Sequence, residues 1–170
     1  MNTPHPALSP RHIAARLAAA EALAQLSTCT RRRFGAVILD PTTLAQISDG
    51  YNGPPRGGPR LCGGEVCERE ARGIASGCDL AVGCYHAEQN AILNAARHGA
   101  RTHGAVMICT GAPCLACARA IYHAGLQAVY TRAGSYPHGE EEGATFLAAY
   151  GVALVRLDPT PTPTPTTPTK

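Results

Sequence analysis

The sequence has no long apolar run, no strong net charge and no segment that resembles a secretion signal. Its apolar stretches fall far short of the roughly 20 residues that a bilayer requires, which argues against a membrane-spanning helix. The opening residues MNTPHPALSP hold no charged segment followed by an apolar one, so we expect no secretory leader. The formal net charge of +3 is too small to predict a nucleic-acid surface, although residues 31–33 form a local arginine cluster. We therefore expect a cytoplasmic protein that binds neither a membrane nor a nucleic acid.

Cysteine, in contrast, is frequent, with 8 residues in a chain of 170. Cytosolic thiols stay reduced, and clustered cysteines there are more often metal ligands than disulfides. The hydrophobic fraction of 45% and the charged fraction of 16% are typical of a compact globular domain. The composition predicts a single domain, and metal binding is the first hypothesis for its cysteines.

Glycine and proline mark two segments without regular structure. Residues 51–64 (YNGPPRGGPRLCGG) predict a loop, and residues 160–169 (TPTPTPTTPT) are of low complexity. Such a repeat cannot bury enough apolar surface to fold, so we expect a disordered tail over residues 158–170. The remaining residues, 1–157, are predicted to form the domain.

Hydrophobic periodicity and the signals for helix starts and ends predict alternating helices and strands. The predicted helices are 11–26, 65–72, 85–97, 114–123 and 140–150. The predicted strands are 34–39, 44–48, 105–110, 127–131 and 152–157. This order predicts an α/β fold, a three-layer α/β/α sandwich around a mixed five-stranded sheet.

Two short motifs, HAE at residues 86–88 and PCLAC at residues 113–117, carry the chemistry. A structural zinc site is closed by four protein ligands, whereas a catalytic site keeps one position for water. The motifs offer three ligands, His86, Cys114 and Cys117, and one further carboxylate, Glu88. They therefore predict a catalytic zinc with Glu88 as the proton carrier. A C-x-x-C pair alone is also typical of thiol oxidoreductases, and a non-catalytic, zinc-stabilised binding module is the other alternative.

The arrangement H-x-E…P-C-x-x-C is typical of zinc nucleobase deaminases. The chain resembles the deoxycytidylate (dCMP) deaminase family of the zinc-dependent cytidine deaminase superfamily over about residues 10–157. The segments that carry the resemblance are STCTR leading into FGAV, GYNGPP, HAEQNAILNAA and PCLAC. One departure is Phe34, where the family usually has valine.

The resemblance implies a cytidine deaminase-like fold and the conversion of dCMP and water to dUMP and ammonia. It also implies a homo-oligomer, from dimer to hexamer, with dCTP as an activator and dTTP as an inhibitor. The alternatives are deamination of another nucleotide or nucleoside, or of adenosine in tRNA. The small net charge and the GYNGPP loop argue against the tRNA substrate.

Several residues are expected to contact the nucleotide. Arg31 matches the motif arginine of the family, and a guanidinium binds a phosphate bidentately. Asn52 is expected to bond the sugar or the phosphate, with simple Asn-Gly turn chemistry as the alternative. Thr110 and Ala112 are expected to offer backbone groups to the base, and Tyr136 either covers the nucleotide or lies on the surface.

Six cysteines lie outside the predicted catalytic zinc site. Cys109 falls in a predicted buried strand and is expected to be a core residue. The resemblance to some relatives implies a second, structural zinc, which would clamp the glycine-rich loop. The cysteines expected to hold it are Cys29, Cys62, Cys67 and Cys84, with Cys78 as the rival of Cys67. A set of free thiols is the alternative.

Overall fold

The computed structural model describes residues 8–58, 66–74, 83–132 and 140–157. The predicted tail, residues 158–170, lies outside these ranges. The helices are α1 Pro10–Ala24, α2 Glu68–Ala71, α3 Ala87–Arg97, α4 Leu115–His123 and α5 Glu140–Ala149. The strands are β1 Gly35–Leu39, β2 Gln46–Tyr51, β3 Val106–Cys109, β4 Ala128–Arg132 and β5 Ala153–Leu157. Among the described helices, none combines the length and the hydropathy that crossing a bilayer requires.

Most element boundaries agree with the predicted ones to within two residues. The helix predicted at 65–72 is shorter, Glu68–Ala71, and β2 begins later and ends later than expected. The strand predicted at 44–48 lies at Gln46–Tyr51. Leu44 has a left-handed backbone (φ 62) and closes the turn that Asp40 begins, so the strand cannot start there. The Asp40 carboxylate accepts hydrogen bonds from the backbone N–H groups of Thr42 and Thr43 at 2.8 and 2.9 Å.

The five strands form one sheet in the order β2-β1-β3-β4-β5. β1 pairs antiparallel with both β2 and β3, whereas β3, β4 and β5 pair in parallel. The crossovers between the parallel strands are α4 and α5, as parallel pairing requires. The mixed five-stranded sheet is therefore confirmed.

Helices cover both faces of the sheet. Successive side chains of a strand point to opposite faces. Accordingly, Val37 and Leu39 of β1 pack with α1, and Ala36 and Ile38 pack with α3 and α4. All five residues of β1 are buried, which explains why its sequence is a continuous apolar run rather than an alternating one. The three-layer α/β/α sandwich is confirmed.

Two glycines allow close packing against the two segments that carry the motifs. A Cβ atom at Gly50 would lie 2.4 Å from the backbone nitrogen of Ala91, so α3 packs directly on β2. A Cβ atom at Gly143 would lie 2.1 Å from the carbonyl oxygen of Pro113, so α5 packs on the residue that precedes α4. Both contacts are possible only without a side chain. They fix the positions at which α3 and α4 begin.

Polar contacts strengthen the packing of α3 on β2. Asn90 Nδ2 donates to Tyr51 O at 2.9 Å, and Asn94 Nδ2 donates to Asp49 O at 2.8 Å. Ser48 Oγ donates to the carbonyl oxygen of α3 at Ala91, at 2.8 Å. Asn90 and Asn94 lie on the face of α3 that packs on the sheet, and Ser48 lies on β2. The three bonds therefore hold α3 in register with the sheet.

Candidate functional site

His86 lies at the N-terminus of α3, where it is the N-cap residue. Its backbone N–H donates to Gln89 Oε1 at 3.0 Å, which is one half of a capping box. The preceding residue, Tyr85, pairs with Gly53 in an isolated antiparallel bridge. His86 is thus held from both sides, and its side chain faces the N-terminus of α4.

Cys114 is the N-cap of α4, and Cys117 lies in the first turn of that helix. Their sulfur atoms lie 3.6 and 3.4 Å from His86 Nδ1, and the three donor atoms are all within 4.8 Å of one another. A tetrahedral zinc with Zn–S of about 2.3 Å and Zn–N of about 2.0 Å separates nitrogen and sulfur donors by roughly 3.6 Å. The three residues therefore fit a zinc ion, and no fourth donor joins their group among the residues that the structure describes.

The two thiols differ in acidity. The pKa of Cys114 is lowered to about 4, chiefly because Cys117 donates a hydrogen bond to its sulfur; burial opposes the shift and His86 reinforces it. The pKa of Cys117 is raised, because its proton is held in that bond and because it is buried. Burial alone would lower the pKa of His86, but the bond to Cys114 and the charges of Glu88 and Cys114 raise it. One thiolate is therefore ready for a cation at neutral pH.

Glu88 lies in the first turn of α3 and is 6% exposed. Burial raises the pKa of its carboxyl group to about 7, although the charge of His86 opposes the shift. A carboxyl group with a pKa near the working pH can both accept and return a proton. Glu88 lines the same cavity as His86 and Cys114, so it is next to the ligands without being needed as one.

A cavity opens at this site. Its lining includes His86, Glu88 and Cys114, which we call the metal end. It also includes Cys29, Arg31, Arg32, Cys67, Arg69 and Cys84, which we call the α2 wall. The other described lining residues are Phe34, Asn52, Gly111 and Ala112. The cavity therefore brings metal-ligand residues and three arginines to one site.

Of the predicted nucleotide contacts, Arg31, Asn52 and Ala112 line the cavity. Thr110 is not among the described lining residues, and its backbone N–H and Oγ1 are bonded to Gly35 at 3.0 and 3.1 Å. Tyr136 lies outside the described residues. Each of these contacts remains a prediction.

The side chain of Asn52 holds the segment that contains the arginine cluster. Its Oδ1 accepts from the backbone N–H of Phe34 at 2.7 Å, and its Nδ2 donates to the carbonyl oxygen of Arg32 at 2.9 Å. The side chain is 7% exposed. An amide has two donors and two lone pairs, so one of each remains for a ligand. Asn52 thus shapes the cavity wall whether or not it also contacts a nucleotide.

Arg31 connects the α2 wall to the rest of the fold. Its Nη1 donates to Ile74 O at 3.4 Å, and its Nε lies 3.8 Å from Glu70 Oε1. The pKa of Cys67, the N-cap of α2, is lowered: burial opposes the shift, but hydrogen bonds from the backbone of Glu70 and Arg69 and a contact with Arg31 outweigh it. Arg31 therefore holds α2 in place as well as lining the cavity.

The structure tests some of the remaining cysteine predictions and leaves others untested. Cys109 is buried in β3, as expected for a core residue, and its sulfur donates to Gly111 O at 3.1 Å. Three of the four cysteines predicted for a second zinc, Cys29, Cys67 and Cys84, line the α2 wall. Cys62 and its rival Cys78 lie outside the described residues. Within the described ranges, the group of His86, Cys114 and Cys117 is the one whose three donor atoms lie within 4.8 Å, so the second zinc remains a prediction.

Sequence reasoning missed Arg69. In the segment EREAR, residues 68–72, charges of both signs indicate a solvated helix surface. The structure instead buries Arg69, which is 9% exposed, against the cavity. No periodic signal exists in a helix of four residues, so the sequence could not distinguish its inner face from its outer face.

Comparisons with known proteins agree with this site. Residues 11–133 match the family model described as the cytidine and deoxycytidylate deaminase zinc-binding region. The chain is 35% identical over 142 residues to ComE operon protein 2 of Bacillus subtilis, covering 84% of this chain and 70% of that protein. It is 34% identical over 137 residues to the deoxycytidylate deaminase of Schizosaccharomyces pombe, covering 80% of this chain. The alignment covers 41% of the yeast enzyme, so the chain spans less than half of that relative's length.

A solved structure has the same fold. The dCMP deaminase of the cyanophage S-TIM5, in complex with dCMP and dUMP, matches with a TM-score of 0.71 and 28% sequence identity. The match covers 89% of this chain and 100% of that chain. Both the HAE and the PCLAC motifs lie inside the residues that the family model matches, and the structure brings their side chains together. The chain belongs to the cytidine and deoxycytidylate deaminase zinc-binding family.

Proposed function

We propose that the protein catalyses the zinc-dependent hydrolysis of dCMP to dUMP and ammonia. The observation that carries the proposal is the cavity itself. Residues of the three-donor site, a buried carboxyl group and three arginines line the same cavity. A pyrimidine nucleoside monophosphate carries groups that suit both kinds of residue, an exocyclic amine for the metal site and a phosphate for the arginines.

His86, Cys114 and Cys117 would hold the zinc ion. When bound, zinc acts as a Lewis acid that lowers the pKa of water towards neutrality. The role of the chain is to present two sulfurs and one imidazole from two helix N-termini, where the helix dipoles favour thiolates. Since all four coordination positions of a structural site would be filled by protein, the three-donor set favours catalysis over a purely structural role.

Glu88 would move the protons. It accepts a proton from water as the water oxygen bonds to C4 of the cytosine ring, and it delivers this proton to ring nitrogen N3. It then takes the proton of the new C4 hydroxyl group and delivers it to the amino group. The C4–NH₂ bond breaks, ammonia leaves, and a carbonyl group remains at C4. Its pKa of about 7, which burial causes, suits both the acceptance and the return of a proton at neutral pH.

The rest of the cavity would orient the nucleotide. The predicted contacts are Arg31 for the phosphate, Asn52 for the sugar or phosphate, and the backbone at Thr110 and Ala112 for the base. The names of the yeast and cyanophage relatives, both dCMP deaminases, support dCMP as the substrate.

The test is a substrate panel. Purified, zinc-loaded protein is incubated with dCMP, deoxycytidine, dCTP or a tRNA stem-loop, and ammonia and the deaminated product are measured. We expect the highest kcat/KM for dCMP. Turnover of the tRNA with none of dCMP would contradict the proposal, and so would reversible oxidation of Cys114 and Cys117 in a protein without stoichiometric zinc.

We also propose a second, structural zinc at Cys29, Cys62, Cys67 and Cys84. The position of three of these thiols on one cavity wall supports it. Cys67, whose pKa is lowered through its hydrogen bonds, would be the readiest of them to bind a cation. Two zinc ions per chain by elemental analysis would support this site, and one would refute it.

The assembly and regulation of the protein are further proposals. We expect a homo-oligomer, measurable by light scattering, with dCTP raising and dTTP lowering the rate of dCMP turnover. A role in supplying nucleotides would place the protein in the cytoplasm, which fractionation of cells would test.

A further inference from the structure

Arg69 of α2 and Arg72, the C-cap of that helix, lie in opposite environments. Arg72 is exposed and pairs with Glu68, one turn earlier, at 2.6 Å. Arg69, in contrast, is 9% exposed and lines the cavity. The two side chains are chemically identical and three residues apart, yet Arg72 faces solvent and Arg69 faces the candidate substrate site.

Backbone contacts hold Arg69 in this position. Gly83 has a left-handed backbone (φ 91), and a Cβ atom there would lie 2.9 Å from Arg69 Cγ. The aliphatic part of the arginine therefore packs against a backbone that has no side chain. The carbonyl oxygen of Arg69 accepts from the N–H of Ile74 at 2.8 Å, and Arg31 donates to Ile74 O. The stem of Arg69 consequently packs on Gly83, and its backbone is bonded to Ile74.

The charges around the cavity favour an anion. Within the described part of the chain, the lining contains three arginines and one carboxyl group, that of Glu88. Arg32 is exposed and Arg31 is partly buried. Arg69 is the most deeply buried of the three, and a cation interacts more strongly with an anion where water is excluded. Guanidinium groups also match the geometry of phosphate oxygens.

We infer that Arg69 binds the phosphate of the substrate and gives the enzyme its preference for a nucleotide over the corresponding nucleoside. Arg31 acts beside it, both as a cation and as the residue that holds α2 against the cavity. This inference rests on the proposed function, because it assigns one part of the same site. It specifies the substrate class as pyrimidine nucleoside monophosphates.

The experiment compares Arg69→Met and Arg69→Lys with Arg72→Met, the matched control on the exposed side of the same helix. The rates with dCMP and with deoxycytidine are measured for each. Binding of dUMP and of inorganic phosphate is measured by calorimetry, which requires no turnover. Zinc content and thermal unfolding report whether each variant is folded, and Arg69→Lys keeps the aliphatic stem that packs against Gly83.

We expect Arg69→Met to lower kcat/KM for dCMP by about 10- to 100-fold, mainly through KM, because a charge-assisted hydrogen bond is lost. The loss with deoxycytidine should be much smaller than the loss with dCMP, and dUMP and inorganic phosphate should bind more weakly. Arg69→Lys should be intermediate, since it keeps the charge but not the bidentate geometry. Arg72→Met should behave as the wild type.

Equal losses with dCMP and deoxycytidine, or wild-type dUMP binding in folded Arg69→Lys and Arg69→Met, would overturn the inference. Failure of the proposed function would be distinct: the wild type would deaminate no cytosine substrate. In that case calorimetry would still show whether phosphate binding depends on Arg69.

Discussion

The metal end and the α2 wall of the cavity are built in different ways. The metal end comes from helices α3 and α4, whose residues Ala87, Ala91, Ala118 and Ile121 belong to the main hydrophobic cluster. Among the described residues, neither hydrophobic cluster contains a residue of α2. The α2 wall depends instead on polar contacts, on Arg31 and on the backbone of Gly83. The metal end is thus held by the core, whereas the α2 wall is held by contacts outside it.

The largest expected effect is at the metal end. Cys117→Ser replaces a sulfur that is completely buried beside His86. We expect loss of bound zinc and a fall in dCMP turnover of at least about 100-fold, the effect that mutating even an outer-shell partner of a metal ligand reaches. Elemental analysis and a rate assay measure both.

Cys109→Ser is the control for Cys117→Ser, because Cys109 is equally buried but donates to Gly111 O instead of contacting His86. It should keep its zinc. If Cys117→Ser retained both zinc and activity, Cys117 would not be a zinc ligand.

The next effect tests whether the core fixes the metal end. In Gly50→Ala, the new methyl group meets the backbone of Ala91 and Ala87 at 2.4 and 2.5 Å, and neither can move freely. We expect the free energy of unfolding to fall by about 1–3 kcal/mol, with lower activity because α3 is displaced. Denaturant titration gives the first value and the dCMP assay the second.

Gly53→Ala is the matched control, since its nearest contact is an ordinary 3.7 Å to the ring of Tyr51. It should cost far less stability than Gly50→Ala. Equal losses in the two variants would mean that the close packing of α3 on β2 is not what fixes the site.

A smaller effect is expected at the α2 wall. Glu70→Gln removes the charge that faces Arg31 across 3.8 Å, in a pair whose glutamate side chain is 52% exposed. We expect the free energy of unfolding to change by less than about 1 kcal/mol, and the change to shrink further in high salt. A loss as large as that of Gly50→Ala would show that the α2 wall contributes to the core after all.

The smallest effect is expected in the turn at Asp40, which is not among the described residues that line the cavity. Hydrogen bonds from the backbone of Thr43 and Thr42 lower the pKa of Asp40 below its ordinary value of 3.8. A carboxyl group with a lowered pKa stabilises the fold above its unfolded pKa, and this contribution is lost as the pH falls through the folded value. The difference in stability between wild type and Asp40→Asn should therefore diminish below pH 3.8. Unfolding curves across this range would contradict the assignment if the difference stayed constant.

The contrast between the metal end and the α2 wall also explains which features could be predicted from the sequence. The proximity of His86, Cys114 and Cys117 was predictable because their donor types match zinc chemistry and the spacing of the two cysteines suits one helix turn. The catalytic roles of these residues and of Glu88 stay predictions. The sheet and its helices followed from apolar runs and periodicity. The burial of Arg69 depends on a contact with Gly83, 14 positions along the chain, and no local pattern encodes such a contact. The shift of β2 likewise arose from the left-handed backbone at Leu44, a residue that rarely adopts it.

The most direct test of the central claim is the rate of dUMP formation by zinc-loaded Glu88→Gln. This variant keeps the shape of a side chain that is 6% exposed and removes its ability to take up a proton. We predict an unchanged zinc content at the catalytic site and a loss of about 100- to 10,000-fold in rate, the usual contribution of general acid–base catalysis. Turnover of dCMP at the wild-type rate by this variant would contradict the account.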